Sequence, residues 1–82
     1  MLLYLFSDAL TGEIQQPFLA HNDDEAVRIA QMAFANVPHP ILHDLFLGKV
    51  SGYDHSANPR FTFTVLYRGL EYLSASEDNN AR

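Results

Sequence analysis

The sequence predicts a small α+β domain, in which a mainly antiparallel sheet of four or five strands carries one amphipathic helix on one face. Three observations lead to this fold class. The 82 residues suffice for one domain. A central segment repeats apolar residues at helical spacing, and the segments around it are apolar or alternating over strand lengths. The predicted domain covers residues 1–73. Near its end, a tight turn at Arg68–Gly69 is expected to lead into an apolar segment at 70–73. Residues 74–82 are predicted to form a polar, flexible tail.

The first strand is predicted at Leu2–Phe6, where a continuous apolar run is typical of a central strand covered on both faces. A turn follows from Asp8 to Gly12, and the glycine can adopt the positive φ that closes such a loop. A short second strand is expected over residues 13–16. Pairing should stop at Pro17, because proline has no N–H to donate to a neighbouring strand.

The helix has the clearest sequence signals. Asn22 is predicted to be its N-cap, and Glu25 stands three residues later, as in a capping box. The three consecutive acidic residues after the cap place negative charge at the positive end of the helix dipole. The helix is expected to end near Ala35, ahead of Pro38, and residues 37–40 are expected to form a stiff extended connector.

Two further strands are predicted in the second half of the chain. The first covers Asp44–Val50, where Gly48 marks a bulge or a close backbone contact. A polar loop is expected over Gly52–Pro59. The second strand, Arg60–Tyr67, is the clearest by propensity. On strict alternation, one of its faces carries Phe61, Phe63, Val65 and Tyr67.

The composition limits the classes of partner. A net charge of −5 opposes contact with nucleic-acid phosphates or anionic membranes over most of the surface. No apolar run approaches the roughly 20 residues that span a bilayer, so no membrane partner is expected. The absence of cysteine excludes disulfides and thiolate metal sites and favours a reducing cytoplasm. A small core without such cross-links also favours a homodimer.

The reactive residues form no known catalytic pattern. His39 and His43 have the spacing of paired metal ligands on a helix, but Pro40 lies between them, so no metal site is expected. The serines lack the contexts of known nucleophiles, and the glycines form no phosphate loop. The sequence therefore predicts a protein that is not an enzyme, with no cofactor and no small-molecule substrate.

One strand has features of a nucleic-acid surface, because it alternates aromatic residues and carries an arginine at each end. Such a strand suits single-stranded nucleic acid, where bases stack on rings and cations follow the phosphates. The candidate binding residues are Lys49, Arg60, Phe61, Phe63, Tyr67 and Arg68. The alternative interpretation is that the rings face the core and the arginines only solubilise the strand ends. That alternative is favoured, because a chain this short needs its aromatic rings for the core.

An ordered series of short motifs resembles a known family. The series contains Ser7, Asp8, Gly12, Pro17, Phe18, His39, Pro40 and Gly48, and it extends over residues 2–50. In this order the motifs resemble the small nonstructural protein of gokushovirus-type microviruses, which are phages with circular single-stranded DNA. Leu19 stands where the family has a second phenylalanine, and Lys49-Val50-Ser51 replaces a more acidic step.

The resemblance implies a non-virion accessory protein that acts in the host bacterial cytoplasm when the phage changes to single-strand synthesis and genome packaging. It supplies no catalytic residues, and the motif positions are expected to be structural. The expected partner is single-stranded DNA or a replication or capsid protein of the phage. The alternative is an acidic protein–protein adaptor or scaffold-like dimer that does not contact nucleic acid.

Overall fold

A computed structural model describes residues 1–15 and 17–80, with side chains described through Ala75. Its elements are β1 (Leu2–Asp8), β2 (Phe18–Ala20), α1 (Asp23–Phe34), α2 (His39–Leu42), β3 (Leu45–Asp54), β4 (Arg60–Arg68) and α3 (Gly69–Asn80). The four strands form one sheet in the order β2-β1-β3-β4, and every neighbouring pair is antiparallel. The α+β fold and the antiparallel sheet are therefore confirmed.

β1 is a central strand, as its apolar run predicts. It pairs with β2 on one side and β3 on the other. Tyr4 and Leu5 point to opposite faces of the sheet, and both are fully buried. The predicted turn follows: an Asp8 carboxylate oxygen accepts from the Leu10 N–H at 2.8 Å, and Gly12 has a φ of +74°.

The second strand lies later in the chain than the sequence predicts. Only an isolated bridge between Ser7 and Ile14 forms in the expected segment, and Gln16 lies outside the described residues. Pairing resumes after Pro17 as β2. The ring of Phe18 stacks on that of Phe6 at 5.2 Å, so packing against β1 places this segment in the sheet.

The start of α1 is the predicted N-cap. The Asn22 side chain accepts from the Glu25 N–H at 2.8 Å. The other half of the capping box is displaced by one residue, because the Glu25 carboxylate accepts from the His21 N–H instead of the cap N–H. The hydrogen bond with the His21 imidazole and then the one from the His21 N–H hold the pKa of Glu25 below its ordinary value. On the opposite side of α1, small side chains and one ring pack on the sheet: Ala26, Ala30 and Phe34.

The prediction of an extended connector over residues 37–40 is wrong beyond Pro38. His39 begins the short helix α2, and Pro40 lies in its first turn. Proline is tolerated there because the N–H groups of a first turn have no partner within the helix. α2 places Leu42 in the core, fully buried.

The β3–β4 hairpin is longer and less regular than predicted. β3 continues through Asp54, so the expected loop over Gly52–Pro59 shortens to residues 55–59. The register shifts twice, which leaves Leu66 as the extra residue in β4 and Ser51 as the extra residue in β3. The bulge at Leu66 breaks strict alternation. Tyr67 therefore faces the opposite side of the sheet from Phe61, Phe63 and Val65, and the prediction that all four share a face is wrong.

The predicted turn into an apolar fifth segment is also wrong, because α3 begins at Gly69. A Glu71 carboxylate oxygen accepts from the Arg68 N–H at 2.7 Å and so satisfies a backbone donor at the helix start. The flexible tail over 74–82 stays a prediction. Residues through Asn80 continue α3, and Ala81 and Arg82 lie outside the described residues.

All three helices pack on one side of the sheet, which we call the helix face. The buried cluster there consists of Tyr4, Ala20, Ala26, Ala30, Phe34, Leu42, Leu45 and Leu47. By alternation, the other side, which we call the second face, carries Leu3, Leu5, Ser7, Leu19, Phe46, Gly48, Val50, Phe63 and Val65. Within the described residues, no helix has the length and apolar character needed to cross a membrane.

Candidate interaction surface

The six candidate nucleic-acid residues do not form one surface. Tyr67 lies on the helix face, where its ring stacks on Phe34 with centroids 5.9 Å apart and planes 10° apart. Phe63 lies on the second face, 5.6 Å from the ring of Phe46. It covers Gly48 so closely that a Cβ at that position would lie 2.9 Å from the Phe63 ring. Both rings therefore serve packing, on opposite sides of the sheet.

Lys49 is engaged in an ion pair. Its ammonium lies 3.2 Å from an Asp23 carboxylate oxygen, and the same oxygen accepts from the Tyr4 hydroxyl at 2.7 Å. The hydrogen bonds from Tyr4 and then Lys49 hold the pKa of Asp23 below its ordinary value. Burial, followed by the hydrogen bond to Asp23, raises the pKa of Tyr4 to about 12. This cluster joins the start of α1 to the sheet, and it leaves Lys49 partly neutralised.

The two arginines are exposed at opposite ends of β4. Eight residue steps separate Arg60 from Arg68, which corresponds to about 25 Å along a strand. Arg60 pairs across the hairpin with Asp54. The pKa of Asp54 is lowered mainly by a hydrogen bond from the Ser56 N–H, and the charge of Arg60 adds to this effect. The arginines therefore cannot act together on one short ligand segment.

Arg60 and Phe61 do meet in a cleft of about 380 Å³ that we call the hairpin cleft. Its walls come from two distant parts of the chain: Ile14, Gln15, Pro17, Tyr53, Pro59, Arg60 and Phe61. Tyr53 packs edge-on against Phe61 at 5.4 Å and against the His55 ring at 4.7 Å. It is still 45% exposed. The cleft thus combines apolar walls with one tyrosine and one arginine side chain.

The sequence did not identify Tyr53 as a surface residue, because it lies in the predicted polar loop. One signal was available, since an aromatic residue seven positions before a β-branched and aromatic strand is consistent with a continuing hairpin. No sequence signal places Ile14 and Pro17 opposite the hairpin end. The sheet order places β1, which leads into their loop, directly beside β3 of the hairpin.

Three of the residues on which the sequence resemblance rests lie at the first turn and shape it. The Ser7 hydroxyl, on a residue only 4% exposed, donates to the Glu13 carbonyl at 2.9 Å. Asp8 accepts from two backbone N–H groups of the turn, and the Gly12 N–H donates to the Asp8 carbonyl at 2.8 Å. These contacts shape the loop between β1 and β2.

The remaining motif residues occupy other packing positions. Phe18 stacks on the rings of Tyr4 and Phe6 in β1. Pro17, which precedes it, lines the hairpin cleft. His39 and Pro40 form the first turn of α2, and Gly48 lies under the Phe63 ring.

The imidazoles and carboxylates do not gather into a recognisable metal centre. In the part of the chain that the structure describes, no group of three or more His, Asp or Glu side chains is placed to hold an ion. His39 is the first residue of α2, His43 is its C-cap, and both are exposed. A second cleft of about 340 Å³ lies at the start of α1, and its charged walls include the ion-paired Asp23 and Lys49.

Comparison with protein-family models, with curated proteins and with solved structures found no match to this chain.

Proposed function

We propose that this chain is a non-catalytic accessory protein that acts by binding another protein through the hairpin cleft. One observation carries the proposal: the cleft holds apolar side chains that remain exposed although the molecule has a complete core on the helix face. Tyr53 is 45% exposed and Ile14 is 39% exposed, and Arg60 lies beside them. Tyrosine and arginine beside apolar walls are typical of the centre of protein interfaces.

The charge distribution supports a protein partner over nucleic acid. The chain carries ten acidic and five basic residues. Lys49, one of the few cations, is paired with Asp23, and Arg60 faces Asp54 across the hairpin. A chain with this charge is repelled by phosphates at long range, whereas a protein partner can present a neutral or basic surface.

The ordered motifs support a biological context for this binding. Their resemblance to the small nonstructural protein of gokushovirus-type microviruses suggests a role in replication or packaging of a single-stranded DNA genome, within the host bacterial cytoplasm. The residues that shape the β1–β2 loop and those that begin α2 are among the ones on which the resemblance rests. The partner would then be the replication initiator or the capsid protein of such a phage.

The experiment is a calorimetric titration of the purified chain against each of these two phage proteins. Tyr53→Ser removes the most exposed ring of the hairpin cleft. We expect the dissociation constant for the true partner to rise at least about tenfold, as for an interface anchor. Met32→Ser is the matched control, because Met32 is 64% exposed on α1 and lies outside the cleft. Equal affinity of the two variants, or no binding to either protein, would contradict the proposal.

Direct binding of single-stranded DNA is a second candidate function, supported by the position of Arg60 beside Tyr53 and Phe61. Each base stacked on a ring contributes about 1–3 kcal/mol. Fluorescence anisotropy with a labelled oligonucleotide at low salt tests it. Arg60→Glu should weaken binding more than Arg68→Glu, which makes the same charge change at the far end of β4. Absence of binding at low salt would exclude this function.

A further inference from the structure

The two edges of the sheet differ in how they are protected against pairing with another strand. β2 has three residues and follows Pro17, so it offers a short edge that starts next to a residue without an N–H. β4 has nine residues and contains no proline, lysine or acidic residue. Within the described residues, β4 pairs only with β3, so its outer edge carries unpaired backbone groups.

The direction of these backbone groups follows from one contact. The Thr62 carbonyl accepts from the Ser51 hydroxyl on β3 at 3.1 Å, so it points inward, toward β3. Backbone groups of successive residues point to opposite sides of a strand. The N–H and C=O groups of Phe61, Phe63 and Val65 therefore point outward, to the free edge.

We propose that this edge binds β4 of a second copy of the chain, antiparallel, about a two-fold axis at Phe63. In this register Phe63 lies opposite the partner's Phe63, and Phe61 lies opposite the partner's Val65. These are the residues whose backbone groups point outward, so each facing pair exchanges two hydrogen bonds. Thr62 lies opposite the partner's Thr64, and threonines that face each other across two antiparallel strands stabilise the pairing. The two sheets then join into one of eight strands.

The bulge at Leu66 selects this register. Directly opposite residues must point to the same side of the joined sheet. With the axis at Phe63, this condition holds for every pair from residue 60 to residue 66. With the axis at Thr64, Phe61 on the second face would oppose the partner's Tyr67 on the helix face. That register would also set Arg60 against the partner's Arg68, and like charges directly opposite are destabilising.

Three further observations favour a second copy as the occupant. Thr62 and Thr64 are exposed, so the helices do not cover this edge. The paired segment contains a single charged residue, Arg60, which faces the partner's Leu66, so two chains of net charge −5 can meet here without opposed like charges. The half-buried rings and aliphatic side chains of the second face also become continuous across the axis. The pairing shields their edge from water.

The test uses two double variants that differ at one position. T62E/T64E places glutamates opposite each other twice across the axis, whereas T62K/T64E places lysine opposite glutamate twice. Both variants carry the same residue beside Lys49, which pairs with position 64 within the hairpin. Q31E/A57E adds the same charge as T62E/T64E at exposed positions outside the proposed paired segment 60–66 and controls for general repulsion. Circular dichroism verifies that each variant is folded.

Analytical ultracentrifugation over a wide concentration range measures the dimer dissociation constant. We expect a dimer for the parent chain and for Q31E/A57E, a dissociation constant raised at least about tenfold for T62E/T64E, and recovery to the parental value or better for T62K/T64E. A parent chain that stays monomeric at all concentrations would overturn the proposal. So would a dimer that T62E/T64E leaves intact, or one that both β4 variants weaken equally. None of these outcomes depends on whether the phage proteins or DNA bind.

Discussion

Gly69→Ala sets two opposing effects against each other at the contact between α2 and α3. Gly69 is buried at the start of α3. A Cβ there would collide with the backbone carbonyl oxygen of Leu42, and it would lie 2.8 Å from the carbonyl carbon and 3.0 Å from Cα. Because these are backbone atoms, no change of rotamer relieves the contact, and the two helices must separate.

The magnitude follows from comparing the two effects. Alanine favours a helix over glycine by up to about 1 kcal/mol. Overpacking costs about 1–3 kcal/mol, and here it also disturbs the fully buried Leu42. We expect the steric effect to dominate and the free energy of unfolding to fall by about 2 kcal/mol. For a domain of this size that corresponds to a melting temperature lower by about 8–16 °C.

The assay is thermal and urea unfolding followed by circular dichroism. Gly52→Ala is the control, because its Cβ would meet only the Thr62 hydroxyl, a group that can rotate away. We expect that variant to remain within about 0.5 kcal/mol of the parent. If Gly69→Ala were as stable as the parent or more stable, helix propensity would outweigh the contact. The close packing of α2 on α3 would then be refuted.

Two further predictions concern α1 and its attachment to the sheet. Asn22→Ala removes the side-chain oxygen that accepts from the Glu25 N–H, so urea titrations should show a free energy of unfolding lower by about 1 kcal/mol. Asn58→Ala, in the exposed loop, is the control and should leave the free energy of unfolding unchanged. Tyr4 has a pKa of about 12 in the folded chain against an ordinary 10.0. Its contribution to stability is therefore complete below pH 10 and lost as the pH rises from 10 to 12. Between pH 10 and 12, the urea midpoint of Tyr4→Phe should fall less than that of the parent chain. If both midpoints fell equally with pH, the raised pKa of Tyr4 would be contradicted.

The accuracy of the sequence-based predictions depended on the range of the interaction involved. The cap at Asn22, the positive φ of Gly12 and the apolar run of β1 were predicted correctly. Each of these depends on residues within a few positions, so the chain carries the signal locally. The short helix α2 was missed, because Pro40 is compatible with either an extended connector or a first helical turn. Packing of Leu42 in the core is consistent with the helical choice.

For the candidate site too, local patterns were predicted correctly and long-range contacts were not. Arg60 and Phe61 were selected from the pattern of β4, and the structure places them together in the hairpin cleft. Tyr67 was assigned to their face by counting residues along the strand, which fails at the bulge at Leu66. A bulge depends on how the partner strand pairs, and the strand's own sequence does not reveal it.

The sequence by itself determined the fold class, the central strand, the capped helix and the surplus of negative charge, because periodicity, capping and composition are local or additive properties. The tertiary structure alone decided which residues share a face and a cleft. It brings Ile14 and Pro17 to Tyr53 across some forty positions of sequence. Within the described residues, it also makes the nine-residue β4 and the three-residue β2 the two edges of the sheet. Both results follow from strand order and register, which depend on contacts between residues far apart in the chain.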